Sequence, residues 1–492
     1  MFSNARHAAE VFENLEPRLV LSNHLTFEAY YPEGYASDAI NEFVPITNHN
    51  NTSVEFELHA RYEFGERDTL IASGVIPPQT RGGVTISEVN FPLDTIVRKN
   101  VPYALVLKAS APLSATISHY DFGTAIGESF TTTKSTEWTF AEGRKKSDEA
   151  RDFILVFNPS SSEIEVQIEI YREGGANIIK TITLGAERRG GWAMNDIAEL
   201  GDDRYSARIT APTPIVAAQS RYEFSQERGF GAIGTPDGGS TDGIVPAIEF
   251  DDDFYDLNGD DSHRGVPRYQ ANAFISILNT NTSPAFAVVT LSFVFESGGP
   301  ATQTRTVVVN AGTRQTVNLR DYNLPLDEEF GVIYRSTIPV TVSGTRFQGM
   351  DAVGVEASTI AATVWDFGEG YMSLTRGGTG ILEEIYVYNP QQGYAGITLT
   401  FMFTDSTTLT VTESLDPGEL DGIKLHRIDA LRLRANDQWY GVRVSSTGPV
   451  VAMLEHWDNG NGGGFGTFGM PSGTIVPFGT ALTLPGLPND PS

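Results

Sequence analysis

From Ile164 to Ile170 apolar and polar residues alternate without a break: Ile164, Val166, Ile168 and Ile170 fall on one side, Glu165, Gln167 and Glu169 on the other. A period of two marks a strand with one face on a core and one in water, and no helix would gather those four residues on one face. The alternation recurs at Val54, Phe56 and Leu58, at Val289, Leu291, Phe293 and Phe295, and at Ile397, Leu399, Phe401 and Phe403. Each of these segments follows an apolar run that stops at an Asn: Phe43 to Asn48, Phe153 to Asn158, Phe274 to Asn279 and Ile385 to Asn389. Turn signals such as Pro77-Pro78, Ala311-Gly312 and Asp416-Pro417-Gly418 punctuate the strands, at the roughly 8–12-residue spacing of an antiparallel sandwich. Helix is confined to a turn or two at 195–200 and 426–433.

Each copy closes on a strand in which a Pro is followed eight residues later by an aromatic: Pro112 to Tyr120, Pro214 to Tyr222, Pro339 to Phe347 and Pro449 to Trp457. A basic residue precedes the aromatic every time, His119, Arg221, Arg346 and His456. A longer period overlies this one: Asn48 to Asn279, Asn158 to Asn389 and Ile197 to Ile428 are each 231 residues apart. Copies one and three share Pro92-Leu93-Asp94 and Pro325-Leu326-Asp327, whereas copies two and four share Tyr205-x-x-Arg208 and Tyr440-x-x-Arg443. The last duplication therefore copied a pair of domains.

These patterns predict an all-β chain of four tandem antiparallel, immunoglobulin-like β-sandwich domains arranged as two pairs. The expected division is an N-terminal segment at 1–24, sandwiches at 25–130 and 131–248, an acidic linker at 249–262, sandwiches at 263–360 and 361–478, and a tail at 479–492. Four such domains in a row would form a rod on the order of 130 Å long.

Composition narrows the function classes. Across 492 residues, 34 Lys and Arg oppose 62 Asp and Glu, a formal charge of −28. That balance argues against nucleic acid or an anionic membrane as a partner. With 0 cysteines, a disulfide scaffold, a thiolate metal site and a thiol enzyme are all excluded. No apolar run approaches the ~18–20 residues of a membrane-spanning helix, so membrane insertion through a helix is not expected.

Two resemblances bear on location. Phe12 to Ser22, with Leu15, Glu16, Pro17 and Arg18 intact and Val20-Leu21 following, resembles the LEPR-xLL segment near the N-terminus of large planctomycete secreted and surface proteins. The resemblance implies export, although the first 30 residues hold no apolar h-region of a secretory signal peptide. The openings Trp138-Thr139-Phe140-Ala141-Glu142-Gly143 and Trp365-Asp366-Phe367-Gly368-Glu369-Gly370, with the runs ending Asn158-Pro159 and Asn389-Pro390, resemble a bacterial cell-surface family of tandem β-sandwich repeats without assigned activity. This second likeness covers most of 130–250 and 360–478. It implies fold and an extracellular or cell-surface location, and carries no catalytic residue.

The search for chemistry yields little that is enzymatic. The 8 histidines are scattered without metal-ligand spacing, and no nucleophile elbow or phosphate-cradling loop occurs. Glu142 and Glu369 recur in equivalent places, as do Glu173 and, less exactly, Asp405, which suits a repeated turn role better than two copies of one active site. The expectation is a protein that is not an enzyme and requires no cofactor, with a structural, adhesive or display function. A carbohydrate-binding array and a polysaccharide-degrading accessory remain as alternatives. His119, Arg221, Arg346 and His456 are candidate contacts for an unidentified surface protein or glycan, if the neighbouring aromatics are exposed. The other reading places each aromatic in the core and pairs each basic residue with outward Glu. Finally, Asp256, Asn258 and Asp260 have the alternate oxygen spacing of a Ca²⁺ loop, but the twelfth position of that loop is Pro267 and not Glu. A solvated acidic linker and a Ca²⁺ site both fit.

Overall fold

The computed structural model describes residues 24–482, except 64–66, 89–96, 122–123, 174, 249–270, 283, 297–298, 326–327, 350, 374–379, 436–437 and 459–462. The Leu15 to Arg18 motif, the Asp256, Asn258 and Asp260 spacing and the Pro92-Leu93-Asp94 repeat lie outside the described residues.

Among the described residues the chain is nearly all β, and its strands pair antiparallel, with isolated parallel bridges at Ala36 to Lys99 and Glu296 to Leu420. The second domain shows the plan. One sheet runs Ile178–Leu184, Ile164–Arg172, the first half of Tyr205–Glu223, then Ser135–Phe140. The other runs Arg188–Ala193, Arg151–Asn158, the second half of Tyr205–Glu223, then Arg228–Ile233. The 19-residue strand crosses from one sheet to the other, with Pro214 at the crossing. Phe330–Gln348 and Gln438–Asp458 do the same in the third and fourth domains. The first domain breaks its equivalent at the bend, into Tyr103–Ala109 and Ser114–Asp121. Between the sheets lie Val166, Ile168 and Ile170, packed on Trp138 and Ile209, as the alternation predicted.

The Asn that ends each run is the most repeated polar device of the fold. Asn48, Asn158, Asn279 and Asn389 are fully buried. Each Nδ2 donates to carbonyls of two chain segments, for example Asn158 to Ser162 O at 2.8 Å and Gly185 O at 2.9 Å. Each Oδ1 accepts the amide two residues on, from Asn50, Ser160, Asn281 and Gln391. In three copies the residue at that position also reaches the repeated proline carbonyl: Asn50 to Pro112, Asn281 to Pro339 and Gln391 to Pro449. A buried amide that satisfies several backbone groups is expensive to remove, because they are left without partners. Asn158→Ala is expected to cost about 2–4 kcal/mol in urea unfolding, whereas Ser160→Ala, at the edge of the same turn, should cost under about 1 kcal/mol.

The domains do not form a row. Their innermost strands, Thr124–Ser129, Arg228–Ile233, Asp351–Glu356 and Gly464–Phe468, pack against one another around a common centre. The fourth domain lies against the first, and the chain is a closed ring of four sandwiches. Glycine makes the close approach feasible: a Cβ on Gly127 would lie 2.5 Å from the ring of Phe465, and one on Gly354 would lie 2.3 Å from that of Phe230. The rod expectation fails because the second sheets are covered on both faces.

The boundary between the second and third domains also differs from the expected one. Ser240–Val245, assigned from sequence to the second sandwich, pairs with Phe330–Gln348 of the third. The third domain therefore starts ahead of 249–262, and that stretch falls between its first strand and Asn272–Asn279 rather than between the two pairs of domains.

Candidate functional site: the buried joints of the ring

The basic residues singled out from the repeat are buried, and they face inward within their own domains. His119, Arg221, Arg346 and His456 are each at most 3% exposed. In the first domain His119 Nδ1 meets Glu42 Oε2 at 2.9 Å, and Glu42 also accepts Tyr103 Oη at 2.7 Å and the Tyr35 amide at 2.9 Å. The second repeats this with Asp152, which accepts the Arg144 amide at 2.8 Å and Tyr205 Oη at 3.1 Å and lies 3.5 Å from Arg221. The fourth repeats it with Glu383, bonded to His456 at 2.8 Å, to the Tyr371 amide at 2.9 Å and to Tyr440 Oη. Burial pushes Asp152 up to about 6, although Arg221 and its donors pull it back.

The third domain has lost acid and hydroxyl together, with Ala273 and Phe330 in those places, and Arg346 instead binds Glu455 of the fourth domain at 2.7 Å. Glu42→Ala would leave a buried tyrosine, an imidazole and an amide without their acceptor. The expected cost is about 3–5 kcal/mol in urea unfolding, with Glu42→Gln recovering part of it.

The aromatics that follow the basic residues face the neighbouring domain. Tyr222 Oη donates to Glu33 of the first domain at 3.0 Å, and Ser220 binds the same carboxylate. Trp457 and Met453 pack into the core of the third domain, and Phe347 meets Phe230 of the second. This reverses the expectation of core aromatics and outward basic residues: Arg221 shares the face of Ile215 and Ala217 toward its own core, while Val216, Ala218 and Ser220 look into the joint. Tyr222, Phe347 and Trp457 are buried and Tyr120 is half-buried, so they offer no exposed row for stacking on sugar rings.

Polar and charged side chains stitch the joints. Between domains one and two, Arg189 reaches Glu63 at 3.2 Å and Arg188 reaches Asp68 at 2.6 Å. Between two and three, Arg314 Nη1 meets Glu173 at 2.5 Å, its Nε meets Ser206 at 2.9 Å and its Nη2 lies 3.4 Å from Glu142. Between four and one, Thr47 donates to Gly368 O and Ser118 to Glu369, both at 3.2 Å. Glu142 and Glu369 thus serve as buried acceptors at joints. Glu173 belongs to the Arg314 cluster, while Asp405 pairs with Arg434 inside the fourth domain.

The joint between domains three and four differs from the others. Glu296 and Glu329 of the third domain and Glu384 of the fourth bring carboxylate oxygens within 4.8 Å of one another. Gly422 N donates to Glu296 Oε1 at 2.7 Å, and Lys424 Nζ holds Glu329 Oε1. Burial and the adjacent Glu329 push Glu296 up to about 9, and burial raises Glu384 strongly. Sequence reasoning missed this cluster, since its members are 33 and 55 residues apart and share no motif.

No protein-family model matches the chain, and no curated protein matches it significantly. Among solved structures it is similar to Thermotoga maritima 1070, at 23% identity over 23% of this chain and 96% of that one, with a TM-score of 0.21. It is also similar to the Anabaena sensory rhodopsin transducer, at 21% identity over 18% of this chain and 98% of that one, with a TM-score of 0.16. A tetra-tandem repeat from the extending region of a large adhesion protein aligns over 94% of this chain and 97% of its own, at 12% identity and a TM-score of 0.12.

Proposed function

We propose that this chain is a secreted or cell-surface structural or adhesive module, not an enzyme, and that it acts as a rigid block presenting strand edges to a surface protein or glycan. The observation that carries the reading is the way the ring uses its sheets. Second sheets are consumed by the joints, while each first sheet ends in an outer strand paired on one side only: Thr69–Ile76, Ile178–Leu184, Gln303–Val309 and Thr408–Leu415. These strands alternate exposed and covered residues, and Val75, Ile179 and Val308 are about half exposed, at 47%, 57% and 55%. An extended partner segment can add to such an edge through backbone hydrogen bonds, with side chains at alternate positions giving selectivity. Lys180, Arg305 and Glu413 on the same strands oppose indiscriminate edge pairing between copies. Export rests on the resemblance of Leu15 to Arg18 to the LEPR-xLL segment, and fractionation of the source cells tests it.

The test of function is capture from intact cells and from a glycan panel with the purified full chain, beside an Ile179→Lys/Val308→Lys variant. The expected result is a retained surface partner whose recovery drops at least fivefold with the edge variant. Release of sugars from polysaccharide, or equal capture by the variant, would overturn the reading.

A further inference from the structure

We propose that the joint between the third and fourth domains binds one divalent, oxygen-preferring cation on Glu296, Glu329 and Glu384. The three oxygens converge over Gly422: a Cβ there would lie 2.2 Å from Glu384 Oε1, 2.4 Å from Glu329 Oε2 and 2.9 Å from Glu296 Oε1. Glycine keeps this hollow open. Glu384 is wholly buried, and neither of its carboxylate oxygens has a hydrogen-bond partner. An ionised carboxylate withdrawn from water without a donor is unfavourable by several kcal/mol, and this one points into a hollow shared with two further carboxylates.

Charge sets the valence. Lys424 holds Oε1 of Glu329, so with all three acids ionised around a cation they face one ammonium and two negative charges are left for the ion. The other charged neighbours do not cancel them, since Arg346 is engaged by Glu455 and Asp421 adds a further acid. The equivalent joint of the first pair has Glu63, Pro102 and Phe153 at the three positions, with Arg189 against Glu63. The fold therefore forms this joint without an acidic cluster, and two of the three carboxylates, Glu329 and Glu384, have no counterpart in the first pair. Carboxylate oxygens alone select hard cations such as Ca²⁺, Mn²⁺ or Mg²⁺ over metals that prefer nitrogen or sulfur.

The experiment uses the full chain stripped with EDTA and titrated calorimetrically with CaCl2 and MnCl2, with melting followed in parallel. Variants are Glu384→Gln, Glu296→Gln and, as a control for the acidic stretch, Asp256→Asn/Asp260→Asn. The proposal expects a binding event of one ion per chain and a melting temperature raised by about 3–8 °C at saturation. Both Gln variants should bind at least tenfold more weakly, while the Asn double variant keeps the event. Glu384→Gln should fold and, in EDTA, melt close to the parent, because it keeps the shape of the side chain and lessens the crowding of three acids; if it does not fold, the half-buried Glu296→Gln carries the comparison. Absence of binding at millimolar ion, equal binding by the Gln variants, or loss confined to the Asn double variant would overturn the proposal.

Discussion

Small-angle scattering from the full chain is expected to return a radius of gyration of about 23–25 Å, the value for a single compact body of this length, and not the roughly 38 Å of a rod some 130 Å long. The difference follows from the contact between the last domain and the first, which no covalent bond enforces. That joint rests on Phe465 over Gly127, on Thr467 Oγ1 accepting the Ser129 amide at 2.9 Å, and on backbone fitted closely at Gly368. A Cβ at Gly368 would lie 2.8 Å from Ala115 Cα and 3.0 Å from Ser114 O, neither of which can rotate away. Gly368→Leu should therefore open this joint while leaving the individual cores intact. Its expected signature is a radius of gyration raised by about 5–10 Å with circular dichroism unchanged. A parent chain already near the rod value would contradict the ring outright.

The ring was harder to read from sequence than the sandwiches, for a definite reason. Alternation at Ile164 to Ile170 reports that one face is buried, and there the cover is the partner sheet of the same domain. The run Phe153-Ile154-Leu155-Val156-Phe157 carries another message, because a strand apolar at successive positions is covered on both faces. Ile154 and Val156 enter the core of the second domain, while Phe157 packs with Tyr30 and Val106 of the first. That signal stood in all four copies but did not name the second cover. The rows of small residues on the closing strands, Ser118, Ser220, Ser343 and Thr345, were the other trace of a joint, since they let two domains approach closely. Basic residues beside aromatics were legible as a repeat, yet their facing could not be judged while a water-exposed side was assumed. The Glu296, Glu329 and Glu384 cluster left no trace at all, because it exists only where two domains meet.

The stability of the closed block is expected to fall as pH rises from about 5 to 9, contrary to the usual behaviour of a protein held by ionised carboxylates. Buried acids set this direction, Glu356 and Glu128 at the joints among them, with Glu296 and Asp152 acting in the same sense. His49 and His426, each pushed by burial down to about 4, oppose it below about pH 6.5. Glu356 accepts Ser343 Oγ at 2.6 Å and the Ala141 amide at 3.3 Å, with Thr235 Oγ1 at 3.5 Å and the carboxylate of Glu142 nearby. Glu128 accepts the Ser129 amide at 2.7 Å, the Ile233 amide at 3.2 Å and the Thr467 hydroxyl. Burial pushes Glu356 up to about 8 and Glu128 up to about 7, each against the pull of its donors. A carboxyl whose folded value lies above its unfolded one contributes fully below the unfolded value of about 4.3, and the contribution is lost as pH rises through the folded value. The two acids together should remove on the order of 3–6 kcal/mol between pH 5 and 9. Glu223, held below its ordinary range by Arg221 and Arg228 despite its burial, has the opposite sign, but its window lies at more acid pH. Urea midpoints measured across that range should decline in the parent, decline less in Glu356→Gln, and less again in the Glu128→Gln/Glu356→Gln double variant, where Glu296 and Asp152 keep part of the slope. A parent midpoint that stays level from pH 5 to 9, or a double variant that keeps the full slope, would show that Glu128 and Glu356 do not carry the dependence.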